Sequence, residues 1–198
     1  MKTNCIRQYF STHGKCKVVY GPVPDPLFRA QSTGYVPSLN VTLTGLDISL
    51  YGLDGTVEEF YINKKTNRLV LAVQMQDFVL SSKKYTVRFN RRAKEPINRE
   101  TFLNVTIKSL SITIIIPNLE ELQLDKSEIF TYIDDPYPRV ALDPSIFVST
   151  DDPTVLKVDK ELLSDIPNNI QEELFLESNF YIISFIQYSL CDFGLQPS

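Results

Sequence analysis

The segment from Phe102 to Ile116 constrains the fold more than any other part of the sequence. Along most of it the side chains alternate with a period of two, which is the pattern of a β-strand whose two faces meet different surroundings. A strand of about 13 to 15 residues is longer than the usual 3 to 10. Because long strands twist, the segment predicts a strongly curved or wrapped sheet rather than a compact sandwich.

Other strand-like segments lie on both sides of this one. Residues 39–51 alternate in the same way, and Gly45 interrupts them as a bulge or a bend in one long strand. Shorter segments of the same kind, separated by turn residues, cover residues 57–62, 69–75, 85–89, 119–124 and 129–133. Because short turns join consecutive segments, the sequence predicts an antiparallel meander.

The two ends of the chain have a different character. Residues 4–13 permit a short helix, whereas the three prolines of Gly21 to Pro26 exclude both a helix and a central strand, because proline lacks a backbone donor. After Asp134 the chain is proline-spaced, and from Lys160 its composition favours helix. The predicted class is mainly β (α+β): a strongly curved antiparallel meander sheet with a short N-terminal disulfide-closed helical loop and a C-terminal helix.

The sequence predicts a single domain with three parts. These parts are a cysteine loop with a proline-rich lead-in over 1–38, the antiparallel sheet over 39–142, and a loop with the C-terminal helical segment over 143–198. A chain of 198 residues with 43% hydrophobic residues can bury a core of its own. The whole chain, 1–198, is therefore expected to fold as one unit.

Charge and hydropathy exclude two classes of partner. A net charge of -4 argues against nucleic acid, because phosphate recognition needs clustered Lys and Arg. The basic cluster Arg88 to Lys94 follows a strand-like segment and is either a solvated loop or a docking patch for an acidic partner. No stretch reaches the roughly 20 apolar residues of a membrane helix. The sequence thus predicts a soluble protein that binds neither nucleic acid nor membrane.

Cysteines and glycosylation acceptors indicate the secretory route. Asn40-Val-Thr and Asn104-Val-Thr are N-glycosylation sequons. We expect Cys5 to pair with Cys16, because a loop of this length is readily closed and its bridge restricts the unfolded chain by roughly 3 kcal/mol. Cys191 is then a buried thiol, an intermolecular cysteine or the mate of a missing upstream cysteine, and its pairing with Cys5 or Cys16 stays open. The first 20 residues lack a signal peptide's apolar run, so we interpret the chain as a mature form.

The segment from Phe180 to Leu190 is apolar nearly all round. A helix of this kind needs contacts on more than one side. It either lies in the concave face of the curved sheet or faces a partner, and a strand remains an alternative because Ile, Phe and Tyr favour both buried states. The candidate partner-binding side chains are Phe180, Ile183, Phe185 and Ile186.

No arrangement of residues indicates catalysis. His13 is the single histidine, so the sequence offers no second histidine for a metal site or a proton-shuttling pair. It has neither a Gly-x-Ser-x-Gly motif nor a glycine-rich phosphate loop. The acid pairs Asp134-Asp135 and Asp151-Asp152 each precede a proline and are interpreted as caps of turns or helices. We expect no enzyme activity, no cofactor and no metal.

A set of short motifs is spread over nearly the whole chain: Cys5 to Phe10, Cys16, Gly21 to Pro26, Asn40 to Thr42, Glu59 to Asn63, Thr66 to Leu71 and Cys191 to Gly194. Together they resemble the fibrohexamerin family, the small glycoprotein of lepidopteran silk fibroin. The resemblance implies a non-catalytic subunit, secreted into the silk gland lumen, that binds the fibroin heavy and light chains noncovalently and keeps them transportable.

Residues 39–53 are also similar, more distantly, to the first long strand of the takeout and juvenile-hormone-binding proteins of insects. That family wraps a curved antiparallel sheet around a long helix and holds an apolar ligand in the tunnel between them. The similarity implies an alternative function as a carrier of a lipophilic small molecule. Residues 21–37 cannot supply the amphipathic helix expected before this strand, so the tunnel is expected to be closed or absent. An apolar cavity of roughly several hundred cubic ångströms would favour the carrier, and a filled core the assembly role.

Overall fold

The structure is a computed structural model that describes residues 3–134, 138–148 and 151–195. The strands are β1 (Lys17–Val18), β2 (Leu27–Val36), β3 (Val41–Tyr51), β4 (Thr56–Asn63), β5 (Arg68–Phe89), β6 (Ile97–Pro117), β7 (Glu128–Ile133), β8 (Arg139–Leu142) and β9 (Cys191–Asp192). The α-helices are α1 (Thr3–Gly14), α2 (Ser145–Val148), α3 (Pro153–Ser164) and α4 (Ile166–Phe185). A 3-10 turn over Leu124–Lys126 precedes β7, and α4 continues into a π-turn over Ile186–Leu190.

Two long strands organise the main sheet. β5 has 22 residues and β6 has 21, and they pair antiparallel from Arg68 opposite Pro117 to Phe89 opposite Ile97. β3 pairs with the second half of β5 and β2 pairs with β3, whereas β4 pairs with the first half of β5. β7 and β8 pair with β6. The predicted curved antiparallel sheet is confirmed; the predicted segments 69–75 and 85–89 merge into β5, and the predicted strand from Phe102 to Ile116 begins earlier, at Ile97, as β6.

The C-terminal helix lies on the concave side of this sheet. The side chains of β5 and β6 that face inward are almost completely buried, and Phe78 packs against Tyr181 of α4 with ring centroids 5.1 Å apart. α4 also lies against β2 and β7, the first and last strands of the main path through the sheet. The helix therefore covers the concave side of the curved sheet, which is one of the two positions that the sequence allowed for it.

The disulfide differs from the one that we expected. Cys16 is bonded to Cys191, and Cys5 is an exposed thiol on α1, so the predicted bridge between Cys5 and Cys16 is wrong. The short strands β1 and β9, which pair with Val18 opposite Cys191, bring the two bonded cysteines together. Loop length favoured the local bridge, but the pairing of the two chain ends decides which sulfur atoms meet.

The proline-rich lead-in also ends earlier than expected. Residues 19–26 lack regular structure, and the chain then forms β2, whose first pair joins Leu27 to Leu50 of β3. β2 begins directly after the last proline of the lead-in, because proline removes the backbone donor that a paired strand needs. No helix of the described part of the chain is long and apolar enough to span a membrane.

The disulfide predicts a large loss of stability when it is removed. Cys16 and Cys191 are 175 residues apart in the sequence, and a bridge that closes so long a loop restricts the unfolded chain by about 5 kcal/mol. We expect Cys16→Ala/Cys191→Ala to lower the free energy of unfolding by up to about that amount, as measured by urea unfolding under oxidising conditions. Cys5→Ala is the matched control and should unfold like the wild type. A large loss in the control instead would mean that Cys5 takes part in the bridge.

Candidate functional site

The four side chains proposed from the sequence as partner-binding lie inside the protein. Phe180, Ile183, Phe185 and Ile186 are all less than 10% exposed and belong to one core cluster with the inner face of the sheet. They are buried because the helix is apolar nearly all round and the curved sheet contacts it on more than one side. A contact surface on this protein therefore has to be built from other residues.

Two of the pockets that the described residues form between the sheet and the helices are small and apolar. One, of about 30 Å³, lies between β2, β3 and α4 and is lined by residues such as Ile48 and Tyr181. The other, of about 70 Å³, lies under α2 and α3 and is lined by residues such as Val41 and Phe147. Sites for small molecules usually have volumes of about 300 to 1,000 Å³. Both cavities are too small for a ligand of that class.

Polar contacts hold α4 against the edge of β2. Glu177 of α4 accepts hydrogen bonds from Arg29 and Ser32, and the Arg29 guanidinium also lies 4.5 Å from the ring centroid of Phe180. Further along, Glu172 accepts from the hydroxyl and the backbone N–H of Ser38. Because the Arg29–Glu177 ion pair is mostly shielded from water, loss of either partner would leave an uncompensated charge in a poorly hydrated position. This side of the concave face is thus closed by charge pairing as well as by packing.

The outer face of the sheet carries exposed aromatic side chains in the half formed by β4, the first half of β5, the second half of β6, and β7. Tyr61, Phe130 and Tyr132 are 52%, 40% and 54% exposed. In register, Tyr61 lies opposite Val70, which lies opposite Ile115, so partly exposed aliphatic side chains continue the row. We name these five residues the outer aromatic band. Phe130 and Tyr132 lie opposite Thr113 and Ser111, so the five residues form a patch in which aromatic and aliphatic side chains alternate with polar ones on the outer face of the sheet.

The sequence predicts the strands that carry this band, but it does not predict that these aromatic side chains share an exposed face. Phe130 and Tyr132 are two residues apart in a segment predicted as strand, so the alternation already placed them on one face. Neither their spacing nor their polarity shows whether that face lies inside or outside. The assignment required the position of α4, which occupies the other side.

The two sequon asparagines lie at the surface, outside the band. Asn104 is exposed on the outer face of β6, opposite Ser81 of β5 and Ala141 of β8. Asn40 is exposed at the start of β3, where its Oδ1 accepts a hydrogen bond of 2.9 Å from the Tyr35 hydroxyl. A strand rises about 3.3 Å per residue, so Asn104 lies roughly 20 to 35 Å along β6 from the residues of the band. Glycans at these positions would leave the band uncovered.

The polar residues considered for catalysis or metal binding have structural partners. The Nδ1 atom of His13 is 2.9 Å from the carbonyl oxygen of Tyr9, and the two rings stack with centroids 4.1 Å apart. Asp152 caps α3 by accepting from Thr154 N–H at 2.9 Å, as its position before a proline suggested. Asp134 is exposed, and Asp135 lies outside the described residues. Within the described ranges, no group of three or more His, Cys, Asp or Glu is placed to hold a metal ion.

The basic cluster Arg88 to Lys94 contributes to the fold. Arg91 pairs with Asp152 at 2.8 Å and donates to the carbonyl oxygen of Glu95 at 2.6 Å, so it ties the β5–β6 hairpin to the start of α3. Burial raises the pKa of the Asp152 carboxyl, but hydrogen bonds from Arg91 and from backbone N–H groups outweigh burial and hold that pKa below its usual range. Within the cluster, Arg92 and Lys94 are exposed.

Comparison with known proteins adds a family and a fold. A protein-family model described as Fibroin P25 matches residues 1–195. The crystal structure of Epiphyas postvittana Takeout 1 is similar, with a TM-score of 0.55 and 14% identity over 93% of this chain and 89% of that chain. No curated protein matches. The family match confirms the resemblance to fibrohexamerin, and the similar structure confirms the takeout-like fold, although so low an identity shows the fold alone.

Phe185 and Phe175 of α4 differ in burial, and this predicts that they contribute differently to the free energy of unfolding. Phe185 is 3% exposed and Phe175 on the same helix is 51% exposed. We expect Phe185→Ala to lower the free energy of unfolding by about 3 to 5 kcal/mol, because it removes packed atoms and leaves a cavity. Phe175→Ala, the control on the same helix, should cost less than about 1 kcal/mol. Chemical unfolding measures both, and equal losses would contradict the placement of the helix.

Proposed function

Because the chain belongs to the Fibroin P25 family, we propose that it is a non-catalytic secreted glycoprotein subunit of the silk fibroin complex. In this role it binds the fibroin heavy and light chains noncovalently and supports their assembly, solubility and secretion into the silk gland lumen. The observation that carries the proposal is the family match, which extends over residues 1–195.

The filled interior supports this role over that of a lipophilic carrier. The fold is shared with Takeout 1, but the two cavities between sheet and helices have volumes of only about 30 and 70 Å³. Aromatic side chains of the protein itself, such as Tyr181 and Phe78, occupy the space between the helix and the sheet. A lipophilic ligand would have to displace this packing, which makes a surface-based function the better interpretation.

The outer aromatic band is the surface that best fits binding to another chain. Aromatic side chains are enriched at protein interfaces, since they bury a large area with few rotatable bonds. The band lies on the outer face of the sheet, and the sequons Asn40 and Asn104 are remote from it. Glycans at both asparagines would keep other faces of the sheet soluble while the band stays available.

The first test of the proposal is native mass spectrometry of the protein from its own secretion. We expect a noncovalent complex with fibroin heavy and light chains that dissociates under denaturing, non-reducing conditions. Peptide mapping of the same material should show glycans at Asn40 and Asn104. A free monomer that carries a lipophilic mass would contradict the assembly role and favour the carrier.

The second test asks whether fibroin chains contact the outer aromatic band. We expect Phe130→Arg/Tyr132→Arg to weaken binding to the fibroin heavy–light chain complex by about tenfold or more, because it puts charges into an apolar contact. Binding is measured by surface plasmon resonance, and thermal unfolding checks that each variant is folded. The matched control is Phe28→Arg/Phe102→Arg, two exposed aromatic residues outside the band. An equal loss in the control would mean that the band is not the specific contact surface.

A further inference from the structure

The strand β4 has an open edge. It pairs with β5 along one side, and in the described part of the chain no strand pairs with its other side. β2 and β7, by contrast, both contact α4. An open edge presents backbone N–H and C=O groups that can pair with a further strand. β4 is therefore a place where the sheet can be extended by another chain.

The second half of β4 is regular enough to accept a partner strand. The one irregularity in its pairing with β5 falls between Val57 and Glu59, before the regular pairs that begin at Phe60. Phe60 packs under the sheet against Tyr9 of α1, with ring centroids 6.0 Å apart, while Tyr61 points outward and is exposed. No proline and no inward-facing charge interrupts this part of the strand, and these are the features that usually block an edge.

Charges at the two ends of β4 have opposite signs. Glu58 and Glu59 stand at its beginning, and Lys64 and Lys65 follow its end. All four side chains are exposed. Antiparallel pairing of two such strands brings the acidic end of one against the basic end of the other, whereas parallel pairing would bring like charges together. The strand is therefore complementary to a second copy of itself in the antiparallel direction.

We propose that the chain forms a two-fold symmetric dimer in which β4 pairs antiparallel with β4 of a second copy. The pairing is centred near Tyr61, so that the two Tyr61 side chains lie side by side on the outer face. The main sheet and the outer aromatic band then continue from one copy into the other. A two-fold contact uses the same surface on both copies and closes after two chains, so it does not lead to fibres. The inference goes beyond the proposed function and does not depend on it.

The positions of other surface groups fit this dimer. Asn104 lies in the other half of the sheet, on the part of β6 that pairs with β8, so a glycan there is attached away from the β4 edge. Ser111 of β6 holds the Glu58 carboxylate over the outer face by a hydrogen bond of 2.7 Å, so Glu59 is the acidic group that remains available at the β4 edge. A contact through a single short strand is small, and small interfaces bind weakly.

Sedimentation equilibrium of the purified full chain measures the self-association. Because the interface is small, the concentration range should extend from about 1 µM to about 500 µM. We expect a reversible monomer–dimer equilibrium that weakens as salt increases, since exposed ion pairs are screened. A protein that remains monomeric over the whole range would overturn the proposal, and so would a dimer with no salt dependence.

Charge reversal identifies the interface. A basic variant, Glu59→Lys, and an acidic variant, Lys64→Glu/Lys65→Glu, each place like charges opposite each other in the dimer. Each alone should raise the dimer dissociation constant at least about tenfold, whereas an equimolar mixture of the two should form a heterodimer at least as tight as the wild-type dimer. Far-ultraviolet circular dichroism and thermal unfolding check that both variants are folded.

The matched control is Glu100→Lys, which makes the same change of net charge as Glu59→Lys at the far end of β6. It should dimerise like the wild type. If the control and the basic variant lose association equally, net charge rather than the β4 edge governs it and the proposal fails. The proposal also fails if the mixed variants do not associate, or if each variant alone dimerises like the wild type.

Discussion

The antiparallel pairing of β5 with β6 is the interaction on which the other elements depend. Both strands run almost the full length of the sheet, and every other strand of the main sheet except β2 pairs directly with one of them. Their inward side chains, from Leu69 to Phe89 and from Leu103 to Ile116, supply most of the sheet's share of the core. Because so long a pair must twist, the sheet curves and creates a concave side that has to be filled.

The helix α4 fills that concave side, and this determines what the protein can do. An apolar surface of this extent is costly to leave in water, so a helix that is apolar all round is its natural cover. The Glu177 contacts with Arg29 and Ser32 then attach the helix to the edge of β2. The same helix contacts β2 and β7, the first and last strands of the main path through the sheet, whereas no described strand pairs with the outer edge of β4.

Local patterns predicted the elements, whereas the contacts between distant parts could not be predicted. The alternation of Phe102 to Ile116 was sufficient for a long strand and a curved sheet, because the period of two is a local property. The disulfide depends on the pairing of Lys17–Val18 with Cys191–Asp192, across most of the chain. The number of residues between two cysteines does not indicate that these two distant strands pair. The long β5 was divided into two segments for a related reason: the Ser82/Tyr85 irregularity breaks the alternation although the strand continues.

For the candidate contact surface, too, the sequence predicts which side chains share a face of a strand but not whether that face is buried or exposed. Alternation places Phe130 and Tyr132 on one side of a strand, but only the position of α4 shows that this side is outside. Conversely, the apolar run around Phe185 suggested a contact surface when viewed alone, and became core once a curved sheet enclosed it. A sequence this rich in aromatic and aliphatic residues can bury only part of them. Since the concave side is already filled by the chain's own helix, apolar side chains such as Phe130 and Tyr132 remain exposed on the outer face, and exposed apolar patches are typical of surfaces that bind other macromolecules.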